Sequence, residues 1–178
     1  MPGRTPAEAV DRFIAPLRRA LRCVTNAPVD HGARRYVAGG EVALVVNWAQ
    51  PVPLPPTSLS LKIELKTRLI EQPGQPPAER WRVTTRFYAY TLIGPEGELL
   101  AYHWHPEIGV RFPHLHVYVN QHPDAPRLPH WHVPTARVAL EDVLTLVLRD
   151  VKARPREPHW WRVLRDTKET FVQSRSWT

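Results

Sequence analysis

The chain has 178 residues, the length of one ordinary domain, and its 43% hydrophobic and 23% charged content excludes wholesale disorder, a collagen-like repeat and a coiled coil. A formal charge of +7, from 24 Lys and Arg against 17 Asp and Glu, suits an anionic partner. The longest apolar run, residues 42–49, is less than half of the ~20 that cross a bilayer, and the first residues lack the apolar run of a secretory signal; a cytoplasmic protein without a membrane span is expected.

The lone Cys23 permits no internal disulfide and no multi-cysteine zinc site. Proline is abundant, 20 residues, and concentrates in residues 51–57 and 72–79, which read as stiff connections. Of the 24 cations 20 are Arg, whose planar fork matches phosphate and carboxylate. Histidine is the third deviation, because seven of the nine lie within residues 103–132.

In chain order, Thr5, Pro6 and Glu8 fit the N-cap, first and third positions of a helix over about 6–24. Val10, Phe13, Ile14, Leu17, Leu21 and Val24 recur at three- and four-residue steps and give it one buried face. Pro16 lacks a backbone donor, so a kink or a restart is expected there.

A sheet of about five antiparallel strands is expected within residues 42–133. Residues 42–48 read as one strand. Over residues 59–70, Leu59, Leu61, Ile63, Leu65 and Leu69 alternate with polar residues, the period of a strand with one wet face. The next run places Trp81, Val83, Thr85 and Phe87 on one side and Arg80, Arg82, Arg86, Tyr88 and Tyr90 on the other. Gly94, Pro95, Glu96 and Gly97 then turn that run into a hairpin with residues 98–105.

After Pro134 the period changes to 3.6. Leu140, Val143, Leu144, Val147 and Val151 mark a helix over about 139–152, with Glu141 and Asp142 at its positive end. A last helix, about 158–173, is expected to bury Trp160, Trp161, Leu164 and Phe171. One helix, several strands and two helices give an α+β fold, a single domain over 1–178 with helices on one face of an antiparallel sheet.

The histidine segment carries the chemistry. On a strand, residues two apart share a face, so His103 and His105 project together, as do His114 and His116, and four imidazoles can converge if the two strands pair. His130 and His132 repeat the spacing in the next extended segment. Neutral imidazoles can hold a divalent metal such as zinc, so His103, His105, His114, His116, His130 and His132 are candidate ligands. Alternatively, His103, His105, His114 and His116 serve as metal-free general acid and base, for which RNA is a suitable substrate because its 2′-hydroxyl is an internal nucleophile. Arg82, Arg86, Tyr88 and Arg137 are candidate substrate contacts, through phosphates and stacked bases. A third possibility is that the histidines are structural, in a non-enzymatic interaction or metal-binding protein.

The segments YHWHP, FPHLHV and VALEDVLTLVL together resemble the TumE-type toxin component family of bacterial toxin-antitoxin modules, over about residues 80–151. The resemblance implies a bacterial α+β protein, a nucleic-acid-related target, an antitoxin-like protein partner, and roles for Pro113, His114 and His116 with His103 and His105 upstream. The expectation is therefore a nucleic-acid-directed protein, a ribonuclease by its chemistry. The added N-terminal helix, the Trp-rich last helix and the repeated HWH ending at His132 depart from that family's pattern.

Overall fold

In the computed structural model, which describes residues 2–32, 36–107, 109–118 and 132–174, the first helix, α1, spans Pro6–Leu21. The Thr5 hydroxyl accepts from the Glu8 amide at 3.1 Å, and Glu8 Oε2 accepts from the Arg4 amide at 2.8 Å, so two of the free amides at this end are satisfied. The helix runs through Pro16 without the expected interruption. Val10, Phe13, Ile14, Leu17 and Leu21 are all buried along one side, and packing of that continuous face outweighs the missing backbone bond.

Among the described residues eight strands follow: β1 (Val29–Asp30), β2 (Glu41–Val46), β3 (Val52–Pro53), β4 (Ser60–Glu71), β5 (Trp81–Gly94), β6 (Gly97–Trp104), β7 (His114–Val117) and β8 (Val133–Pro134). They form one antiparallel sheet in the order β1-β2-β4-β5-β6-β7-β8, with β3 paired to β4. The expectation of about five strands fell short because β1, β3 and β8 have two residues each, too few to carry a period. Helices α2 (Leu140–Arg149) and α3 (Trp160–Ser174) complete an α+β architecture. Both pack with α1, which itself lies against β5.

One core joins the three helices to the sheet face carrying Leu61, Ile63, Leu65, Leu69, Val83, Tyr88, Tyr90 and Trp104. The stripe that α3 buries follows Trp160, Leu164, Thr167 and Phe171; Trp161, expected inside, stands about 100° round the helix and is 49% exposed. No described helix is long and apolar enough to cross a membrane.

The two faces of β5 do not keep one parity. Thr67 lies opposite Thr85 but Lys66 lies opposite Phe87, so β5 carries one residue more than β4, Arg86, in a β-bulge. Before the bulge Val83 faces the helices opposite Leu69; beyond it Tyr88 and Tyr90 do, opposite Leu65 and Ile63. Tyr88 and Tyr90 thus leave the Arg face on which a uniform alternation placed them. Their rings stack at 5.0 Å and 7°, a pair adding about 0.5–1.5 kcal/mol beyond its buried area. Phe87, expected beside Val83, moves to the face away from the helices.

Candidate metal centre

That far face is where the histidines gather. Tyr102 and Trp104 point to the helices, so the alternation of β6 sends His103 the other way, and His105 follows it. Strand pairing then sets a row across the sheet: Glu64 opposite Ala89, Ala89 opposite His103, His103 opposite His114, His114 opposite Pro134. His116 lies one step along, opposite Ala101, and His132 enters just before β8. Ala89 and Thr91 are small and buried, which leaves room for imidazoles above that part of the sheet.

Among the described residues five rings come together. Centroids are 5.9 Å apart for His103 and His105, 5.8 Å for His103 and His114, and 5.0 Å for His105 and His114. On the other side of His114 the separations are 4.8 Å to His116 and 4.9 Å to His132, with His116 and His132 at 4.6 Å. Two sets of three, His103 with His105 and His114, and His114 with His116 and His132, bring one nitrogen from each ring within 4.8 Å of the others. A tetrahedral zinc ion holds its nitrogens about 3.3 Å apart, so modest side-chain rotation closes either set. His114 belongs to both.

His114 is fully buried. Its Nδ1 lies 2.8 Å from the carbonyl oxygen of Phe112, which can only accept, so Nδ1 carries the proton. Nε2 therefore presents a lone pair, and it is buried with no hydrogen-bond partner among the described residues. A buried acceptor left in this state costs about 1–3 kcal/mol unless something binds it. Metal-ligating histidines are held in this way, one nitrogen donating to a carbonyl and the other turned to the ion.

Electrostatics keep His103 and His114 neutral. Burial first, then the mutual repulsion of protonated rings at His114, His105 and His132, pushes His103 down to about 4. His114 is pushed down by burial and by His105 and His132, against the opposing bond to Phe112. Both offer lone pairs at neutral pH. Tyr118 stacks against His116 at 6.0 Å and 14°, and burial with its hydrogen bond to Glu98 pushes its hydroxyl up to about 12, so it stays protonated.

The remaining candidate residues divide. Arg86, carried on the bulge, shares a cavity of about 70 Å³ with His105, Lys66, Phe87, Glu41 and Glu107. Tyr88 is fully buried and its hydroxyl accepts from the Val138 amide at 3.0 Å, a structural position on the helix side of the sheet. Arg137 lies over the Trp104 ring at 4.2 Å, also on the helix side. Arg82, opposite Ile70 near the start of β5, lines a separate cavity with Gln72 and Glu79. The structure therefore brings only Arg86 of these four to the histidines. His130 lies outside the described residues.

Sequence reasoning missed Lys66 and Glu107. Lys66 reads as one of several polar residues on a wet strand face, and nothing near Glu107 announces that its carboxylate pairs with Arg86. Phe112 contributes only its carbonyl, which no residue identity reveals. Comparison of the chain with protein-family models, with curated proteins and with solved structures finds no match.

Proposed function

We propose that the histidine cluster is a divalent-metal centre of the zinc class and that the protein is a metal-dependent, nucleic-acid-directed hydrolase acting on RNA phosphodiesters. The observation that carries this reading is His114, fully buried, its Nδ1 committed to Phe112 and its Nε2 without a hydrogen-bond partner among the described residues, at the junction of two three-histidine sets. Three neutral imidazoles leave a fourth position to water, which a bound zinc ion acidifies to near neutrality. Lys62, Lys66 and Arg86 lie on the same side of the sheet, Lys62 paired with Glu64 and Arg86 with Glu107, and are cations that a phosphate backbone can recruit. To this proposal belong a cytoplasmic location and, from the TumE-type resemblance, a bacterial setting and a neutralising protein partner.

Metal-free acid-base catalysis fits less well. At His103 and His114 it would require one imidazolium near neutral pH, whereas His103 is pushed down to about 4 and His114 is lowered too. The test is to strip the protein with chelator, titrate zinc by calorimetry and follow cleavage of a single-stranded RNA. Zinc binding together with zinc-restored cleavage is expected. Cleavage that persists in chelator would exclude the metal role, and zinc binding without cleavage of RNA would exclude the hydrolase.

A further inference from the structure

Beside the set of His103, His105 and His114, the inner set, lies a small group of charges with a specific arrangement. Arg86 reaches this side of the sheet because the bulge adds it to β5. Its side chain is 27% exposed, and it pairs with the 59% exposed Glu107 carboxylate, two residues beyond His105. Lys66 stands 5.4 Å above the Phe87 ring on the wall of the same cavity. Glu41, the other acid there, is 3.8 Å from Arg68.

We propose that Arg86, with Lys66 beside it, is the phosphate subsite of the histidine centre, and that Glu107 occupies this subsite as an internal substitute that an incoming phosphate displaces. The inference rests on the metal reading and names the part of the substrate held next to the ion. A cavity of about 70 Å³ is of the size of a tetrahedral oxyanion. An exposed ion pair contributes only about 0–1 kcal/mol, so opening Glu107 away from Arg86 is inexpensive. A phosphate offers Arg86 two parallel acceptor oxygens and draws on Lys66 as a point charge, so it competes well with one carboxylate. His105, which lines the cavity and belongs to the inner set, connects the two halves of the site.

The test titrates inorganic phosphate, and separately a short oligouridylate, into the full-length protein with and without zinc. Glu107→Gln removes the competing charge at an exposed position where it cannot unfold the chain, and it should tighten phosphate by up to about fivefold, the most that relief of such an ion pair supplies. Arg86→Ala should weaken phosphate by a similar factor, and neither substitution should move zinc affinity. Phosphate affinity unchanged in Glu107→Gln would overturn the subsite, whether or not zinc binds. Absence of zinc binding would overturn the metal reading alone. A response to oligouridylate parallel to that of phosphate supports RNA as the source of the anion; a response to phosphate only would assign the subsite to small phosphate esters instead.

Discussion

The Nδ1 of His114 donates to the carbonyl oxygen of Phe112 at 2.8 Å, and this one bond decides which nitrogen of the ring its neighbours meet. Because Nδ1 is occupied, only Nε2 can ligate, and one lone pair serves one ion. The two histidine sets are thus alternatives, and a single zinc ion per chain is expected despite five clustered rings.

Sharing also ranks the substitutions. His105→Ala or His132→Ala leaves one complete set, so zinc affinity should fall no more than about tenfold. His114→Ala breaks both sets and should remove about 3 kcal/mol, one ligand's share of the binding free energy, or about a hundredfold in affinity. Calorimetry on the three variants checks this, and equal losses for all three would mean that His114 is not common to both sets.

Acid should destabilise the fold through His103. The unfolded chain takes up this proton near pH 6.5 and the folded chain only near about 4, so stability is full above 6.5 and declines as pH falls through that interval. Urea unfolding at several pH values should show the decline, reduced in His103→Gln. A curve of the same shape in that variant would place the acid sensitivity elsewhere. Zinc added at pH 7.5 should raise the melting temperature, since it binds only the folded state.

Tyr88 has a structural duty and no substrate contact. Tyr88→Phe strands the Val138 amide and should cost about 1–3 kcal/mol of stability, with zinc affinity and RNA cleavage unchanged. Loss of activity in a folded Tyr88→Phe protein would contradict its position beneath the helices.

Pro16 offers a converse experiment. Its ring sits in the body of α1, where alanine restores a backbone donor, so Pro16→Ala should stabilise the protein by about 1 kcal/mol after the gain in unfolded-chain freedom is subtracted. Chemical denaturation measures the change directly.

The period of the residues made much of this legible. The step of two that pairs His103 with His105 and His114 with His116 is a property of any strand, and the apolar alternation of residues 59–70 fixes which side of β4 is buried. The stretch from Thr84 to Phe87 gives no comparable warning, for no glycine or proline marks the bulge there. Its cause is distant: the core takes Tyr88, Tyr90 and Leu92 from one half of β5 and Val83 from the other, and a single parity cannot supply both. A uniform alternation puts Arg82, Arg86 and Tyr88 on one side of β5, and the shift at the bulge is why Tyr88 changes sides. The register that brings His114 opposite His103 is likewise set by pairing along the sheet and by no local signal.

The bulge makes Arg86 separable from the scaffold. Excising one residue from a strand ordinarily inverts every side chain beyond the cut, but here the residue removed is the surplus one, and the remaining ladder would close with Thr85 and Phe87 in register with Thr67 and Lys66. A 177-residue chain with that codon deleted should keep its core while losing a cation beside His105, a shortening that leaves architecture intact and alters chemistry alone.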